Sequence, residues 1–343
     1  MSEHRQSLEA TAHALVAEGR GILAADESNA TMTKRLESVG AESTPDTRLR
    51  FRELLVTTSG VEAHISGVIL YDETIRQAAS DGTAFPDLLA ARGMIPGIKV
   101  DTGAKPLAGA DGEKVTEGLD GLRERLAEYR ELGARFAKWR AVIAIGDGLP
   151  SGRCLRANAH ALARYAALCQ ETGIVPIVEP EVLMDGAHEI DRAQQVTEAT
   201  LREVFAELRG QRVLLSGMVL KPNMVLSGSD CPEQAGVDEV VKRTLELFGR
   251  AVPTEVPGIA FLSGGQSDER ASAHLSGMNA IGGAPWQLSF SYGRALQATP
   301  LAVWAGQERN VSAAQQSFAH RVRCNGEARF GRYTEELEQA LAA

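Results

Sequence analysis

Eight short apolar runs, rich in β-branched residues, recur along the chain and constrain its fold more than any other feature. They read GILAAD (21–26), ISGVILYD (65–72), MIPGIKVD (94–101), FAKWRAVI (136–143), IVPIVEPE (174–181), VLLSGMVLKPN (213–223), GIAFLSGG (258–265) and QLSFSYG (287–293). Near-continuous hydrophobicity over such lengths suits strands covered on both faces, as in a parallel sheet. Helical patterns lie between them. In GRCLRANAHALARYAALCQ (152–170), Leu155, Ala159, Leu162, Ala166 and Cys169 recur at three- and four-residue steps. SDERASAHLSGMNA opens on Ser267 as an N-cap, with Asp268 and Glu269 in its first turn. Eight strands alternating with helices predict a closed (β/α)8, or TIM, barrel. The alternative, an open doubly wound sheet, would usually carry a Gly-rich phosphate turn after its first strand. Here that strand runs into AADES, which has no glycine. No linker rich in Pro, Gly or Ser interrupts the pattern. One domain is therefore expected over 1–343, with an N-terminal helix over about 1–20 and a C-terminal tail over about 306–343.

A chain of 343 residues, 44% of them hydrophobic, can bury roughly three quarters of its unfolded surface without help from disulfides or metal. The four cysteines, Cys154, Cys169, Cys231 and Cys324, have no paired spacing and read as reduced thiols. The seven histidines are scattered, with no HExxH or similar ligand spacing, so neither metal nor cofactor is expected. A net charge of −9 argues against nucleic acid as a partner and requires local cations wherever an anion is to bind. The N-terminal segment carries acids and no apolar stretch, and no run approaches the roughly 18 apolar residues of a membrane span. A cytoplasmic protein without membrane contact is expected.

Nearly every proposed strand finishes in an ionisable or hydroxyl side chain: Asp26, Asp72, Lys99 with Asp101, Lys138 with Arg140, Glu179 with Glu181, Lys221, Ser263, and Ser291 followed by Arg294. In a barrel these positions converge on the C-terminal mouth, where active sites of this fold lie. Alternation puts Lys138 and Arg140 on one face, and Glu179 and Glu181 on another. A lone charged strand end often snorkels to solvent. A whole set of them makes a site. Within it, Asp101 and Glu181 read as ion-pair partners that orient their neighbours, while Asp72 reads equally well as a cap for the helix after it.

Lys221 ends an apolar run and is followed at once by Pro222. An ammonium held against an apolar wall near a second cation such as Lys138 is destabilised, so its pKa is expected to fall. A neutral amine is a nucleophile able to form a Schiff base with a carbonyl. Glu179, on the preceding strand, is placed to carry the protons that this step needs. LSGGQ (262–266) and FSYGRALQ (290–297) follow the seventh and eighth strands, the usual phosphate site of this barrel. Gly264, Gly265 and Gly293 let backbone N–H groups approach an anion, and Arg294 adds charge. Lys34 and Arg35, after AADES, offer either a second anion site or a solvated helix face.

Taken in order, GILAADES, GVILYDET, GIKVDTG, PLAG, GLDGL, FAKWR, TGIVPIVEPE, VLKPNM, FLSGGQS and FSYGRALQ resemble the class I fructose-1,6-bisphosphate aldolases, the metal-free Schiff-base family. The resemblance runs from about Gly19 to Trp304. It implies a cytoplasmic glycolytic lyase acting on a small phosphosugar, and a homotetramer. It makes Lys221 the imine-forming residue and Glu179 the acid/base, with Asp26 and Lys138 completing the catalytic group. Ser263, Gly264, Gly265, Ser291, Gly293 and Arg294 would meet one phosphate. Arg35 would serve the other with Ser28 and Thr31, Thr31 standing where the family commonly has serine, and with Lys99 and Arg140 nearby. A transaldolase-like transfer or a purely binding role are the other readings, and the second would not need Lys221 and Glu179 together. Animal-type members end in a tyrosine that helps protonate the enamine. This chain ends EELEQALAA and its last tyrosine is Tyr333. The tail is expected to dock on the barrel surface through Leu337 and Leu341, leaving the proton to Glu179 or a water that it holds.

Overall fold

The structure, a computed structural model, describes residues 4–340. Eight strands form a closed parallel barrel: β1 (Gly21–Ala25), β2 (Ile65–Leu70), β3 (Ile95–Lys99), β4 (Phe136–Ile143), β5 (Val175–Val182), β6 (Val219–Leu220), β7 (Gly258–Phe261) and β8 (Gln287–Tyr292). Each strand pairs with its neighbours in sequence, and the ring closes where Ile22 of β1 faces Ser291 of β8. Helices separate the strands, among them Gly152–Glu171, capped by Ser151, and Asp268–Ile281, capped by Ser267.

Alternation along the strands sorts the side chains into two cores. Ile22, Ala24, Ile69, Phe136, Val175, Ile177, Val219 and Ala260 form one buried cluster inside the barrel. Residues an odd number of positions away, such as Leu23, Leu70, Ala137, Trp139, Val178 and Ile259, pack outward against the helices. The helix Arg5–Leu15 contributes Leu8, Ala12 and Leu15 to the inner cluster and so closes the barrel floor. Space there is tight: a Cβ on Gly97 would lie 2.2 Å from the Phe136 ring. The same alternation carried upward, past this apolar layer, turns Asp26, Lys138, Arg140, Glu179 and Lys221 into the open end.

Two elements differ from the sequence expectation. The long run at 213–221 is mostly not strand. Only Val219–Leu220 pair, after a 3₁₀ turn at Leu215–Gly217. Here the Gln170 side chain replaces a neighbouring strand: its Oε1 accepts from Leu214 N at 2.8 Å, and its Nε2 donates to Leu214 O at 2.8 Å and Gly217 O at 3.2 Å. An antiparallel ribbon, Gly103–Pro106 with Lys114–Glu117, also rises beside the mouth after β3.

Beyond Gly306 the chain forms a helix, Val311–Ala328, that packs on Arg294–Trp304 and Asp268–Ile281. Arg329 follows it and turns under the barrel. Its buried guanidinium donates to the carbonyls of Val16, Ala17, Arg20 and Leu288 and to Gln287 Oε1. Burial without a carboxylate in contact pulls its pKa down to about 10, so it stays charged at neutral pH. Tyr333 lies against the outer barrel layer, its backbone N–H donating to Ser276 Oγ at 3.2 Å and its hydroxyl to Glu338 Oε2 at 2.7 Å. Glu338 is in turn ion-paired with Arg321. The tail is thus held by Tyr333 and Glu338, with Leu337 half-buried, while Leu341 lies outside the described residues. No helix among the described residues is long and apolar enough to cross a membrane.

Candidate active site

A cavity of about 600 Å³ opens at the C-terminal end of the strands. Every site residue expected from sequence lines it except Gly265: Asp26, Ser28, Thr31, Arg35, Lys99, Lys138, Arg140, Glu179, Lys221, Ser263, Gly264, Ser291, Gly293 and Arg294. Gly265 sits one step behind the wall, where an added Cβ would meet Met184 Sδ at 3.2 Å and Arg294 Nη2 at 3.4 Å. Lys34 is exposed and does not line the cavity. Asp72 is in the first turn of a short helix and accepts from Tyr129 and Arg76.

At the centre, two ammonium groups and two carboxylates alternate. Lys138 Nζ lies 2.6 Å from Asp26 Oδ2 and 3.2 Å from Glu179 Oε2, and Glu179 Oε1 lies 3.2 Å from Lys221 Nζ. Lys138, Glu179 and Lys221 are at most 4% exposed. Burial opposes ionisation of Asp26, but Lys138 and Lys221 outweigh it and hold the carboxyl at about 2. Glu179 is held below the ordinary range by the same balance, burial against Lys138, Lys221 and Arg140. Lys138 is shifted upward, since Asp26 and Glu179 overcome its desolvation. Alternation of this kind is what makes burial of Asp26, Lys138 and Glu179 in ionised form tolerable.

Around this core the remaining acids act as orienting partners. Asp101 Oδ1 lies 2.6 Å from Lys99 Nζ, and Glu181 pairs with Arg140. Glu27 was not anticipated, although it sits between Asp26 and Ser28. It holds Arg35 Nη1 at 2.5 Å and accepts from Gln297 Nε2 at 2.9 Å. Arg125 and Tyr129 also reach the mouth. Their four-residue spacing shows a shared helix face, but nothing in the sequence says which way that face points.

Two helix N-termini border the cavity. Ser28 caps Asn29–Ser38 by accepting from Thr31 N at 3.3 Å, and Gly293 precedes Arg294–Trp304. Helix N-termini favour anions through their free N–H groups. On the far side of the Gly293 terminus from Ser28 lies Ser263–Gln266, where Gly264 and Gly265 have φ of 60° and 93°. Consecutive left-handed glycines turn peptide N–H groups into an anion-sized hollow. Beside it, Ser291 Oγ is buried with no partner among the described residues.

Among the described residues, one other group of possible ligands, His320, Cys324 and Glu338, comes together on the tail, away from the cavity lining. There Arg321 and Tyr333 occupy both carboxylate oxygens of Glu338.

The closed parallel barrel and this mouth define a (β/α)8 enzyme that sets a buried amine beside carboxylates, under a rim suited to anions. The sequence pattern described as Fructose-bisphosphate aldolase class-I matches residues 7–343. A probable fructose-bisphosphate aldolase class 1 of Xanthomonas axonopodis pv. citri is 56% identical, over 96% of this chain and 98% of its own. The fructose-bisphosphate aldolase of Dictyostelium discoideum is 49% identical, over 100% of this chain and 97% of its own. Among solved structures, the Plasmodium falciparum aldolase, in complex with TRAP and a small-molecule inhibitor, superposes with a TM-score of 0.96 at 45% identity, covering 97% of each chain. The chain belongs to the class-I fructose-bisphosphate aldolase family. It is a lyase that catalyses reversible aldol cleavage of fructose bisphosphate.

Proposed function

We propose that Lys221 forms the Schiff base and that the ion-paired row Lys221–Glu179–Lys138–Asp26 runs the proton traffic. The 3.2 Å contact between Lys221 Nζ and Glu179 Oε1 carries this reading. Because Glu179 is a carboxylate in the free enzyme, it enters as the base and takes a proton from the Lys221 ammonium. The freed amine attacks C2 of open-chain fructose 1,6-bisphosphate to give a carbinolamine. Glu179 returns its proton to the carbinolamine hydroxyl, water leaves, and a protonated imine remains. That imine is the electron sink. Asp26 or Glu179 removes the proton of the C4 hydroxyl, the C3–C4 bond breaks, and glyceraldehyde 3-phosphate departs. Protonation of the enamine and hydrolysis then release dihydroxyacetone phosphate and restore Lys221. Lys138, fixed between two carboxylates, stabilises charge that develops beside the reacting carbons, a preorganised contribution of the kind that often dominates catalysis. Borohydride added with dihydroxyacetone phosphate is expected to leave its adduct on Lys221. An adduct confined to Lys138 or Lys99 would overturn the assignment.

The phosphates are assigned to the two helix termini and to the glycine turn beside the second of them. Ser263, Gly264, Gly265, Ser291, Gly293 and Arg294 hold one, and Ser28, Thr31 and Arg35 the other, with Lys99 and Arg140 nearby. Arg294→Ala should raise KM for the bisphosphate by a charge-assisted contact worth about 1.5–3 kcal/mol. Substrates lacking the contacted phosphate should lose much less. Equal losses for both would make Arg294 a structural residue.

The enamine proton is assigned to Glu179 or a water that it holds, since Tyr333 is tied to Glu338 and Ser276 outside the mouth. Removing 333–343 should slow solvent-isotope exchange into C3 of dihydroxyacetone phosphate by less than about tenfold, roughly 1.4 kcal/mol. A drop of about a hundredfold in a folded truncation, matched by Tyr333→Phe alone, would hand the proton to Tyr333. The reading completes a homotetrameric, cytoplasmic enzyme of glycolysis, as for the family as a whole.

A further inference from the structure

Behind the glycine turn stands a buried histidine that the chemistry above does not use. His274 lies in the helix Asp268–Ile281 and is 0% exposed. Its Nδ1 is 2.6 Å from Gln266 Oε1. The Gln266 side chain in turn donates from Nε2 to Ser263 O at 2.9 Å, and the Gln266 backbone N–H donates to the same carbonyl at 3.1 Å. A second contact runs from Gln266 Nε2 to Met224 Sδ at 3.7 Å. The direction of this relay is fixed by chemistry. Ser263 O can only accept, so the Gln266 amide nitrogen must face it and Oε1 must face the imidazole. His274 therefore carries its proton on Nδ1, which leaves Nε2 as the buried atom without a partner. Burial, with Arg270 nearby, holds the ring pKa at about 4, so the neutral single-donor form persists at neutral pH.

Every group in the relay serves one carbonyl, and that carbonyl opens the turn whose next two residues are Gly264 and Gly265. Their N–H groups find no hydrogen-bond acceptor among the described residues. Two adjacent glycines at positive φ have wide conformational freedom, so something outside the turn must hold the hollow in shape. We propose that His274 is a positioning residue for phosphate binding: through Gln266 it locks Ser263 O and thereby keeps the Ser263–Gly265 turn in its anion-accepting form. This rests on the assignment of a substrate phosphate to that turn.

The test compares His274→Leu, which fills the site without a donor, with His274→Asn, whose amide places a donor near the position of Nδ1. His274→Leu should raise KM for fructose 1,6-bisphosphate, and Ki for inorganic phosphate as a competitor, by about tenfold, with kcat changed by less than about twofold. His274→Asn should bring both constants back to within about threefold of the parent. In a Gln266→Leu background, His274→Leu should add nothing further, since the relay is already cut. Ser291→Ala and Arg294→Ala, measured alongside, separate the two readings. If these raise KM and a folded His274→Leu does not, the relay is overturned and the phosphate assignment stands. If none of them moves KM, the turn holds no phosphate and both fall. Equal losses from His274→Leu and His274→Asn would also overturn the relay, because its essence is the donated proton.

Discussion

Lys221→Arg and Lys221→Met should each reduce kcat by at least about 10⁴-fold, some 5.4 kcal/mol of barrier. Neither should form a borohydride-trapped adduct. The two replacements fail for different reasons, which is why both are needed. Guanidinium keeps its proton throughout the working range and has no lone pair to offer a carbonyl. Methionine has no nucleophile, but it matches the lysine stem in length and suits a position only 3% exposed. Lys221→Met also strands Glu179 with one fewer cation, so a loss of a few kcal/mol in stability is expected beside the loss of turnover. Circular dichroism and phosphate binding establish that the barrel and its rim survive. Turnover within about tenfold of the parent in a folded Lys221→Met chain would sink the assignment.

Lys138→Met should lower kcat/KM by about 10²–10³-fold, and it should also change the shape of the pH profile. In the parent, Asp26 has a folded pKa of about 2 against an ordinary 3.8, so it is ionised wherever the enzyme works. Its depressed pKa contributes stability that is present above the unfolded value and lost as pH falls through about 2. Without Lys138, burial acts against ionisation and Asp26 faces Glu179 across a gap that the ammonium had filled. One carboxyl must then rise above its ordinary value. The active form is the carboxylate, so the variant should gain an acidic limb, with activity falling as pH decreases through a range where the parent profile is flat. The stability difference between the two should be largest near neutral pH and shrink below roughly pH 4. An unchanged profile shape would mean that Lys138 does not govern these carboxylates.

The barrel was legible because each strand is covered twice and so must be apolar on both faces. The site was legible because those runs then end in groups that no buried strand would otherwise tolerate. Val213–Gly217 escaped this logic. It is as apolar as a strand, but its backbone is bracketed by the amide of Gln170, some 44 residues upstream, and periodicity carries no trace of such a partner. Glu27 escaped for a related reason. Its job is to hold Arg35, a residue eight positions on, and only the fold shows that the two converge. The tail was anticipated to dock outside, yet on leucine contacts, whereas Tyr333 and Glu338 hold it through polar bonds.

Closing the ring between Ile22 and Ser291 also sets an order of events in time. As the chain emerges from its N-terminus, β1 can pair on one side with β2 within a few dozen residues. Its other edge has no partner until β8 exists. At roughly 5–20 residues per second of synthesis, that edge stands open for tens of seconds. The floor is unfinished for longer still, because Val16, Ala17 and Arg20 wait for the guanidinium of Arg329. The first strand made is thus the last to be sealed, and an open strand edge is where one nascent chain can pair with another.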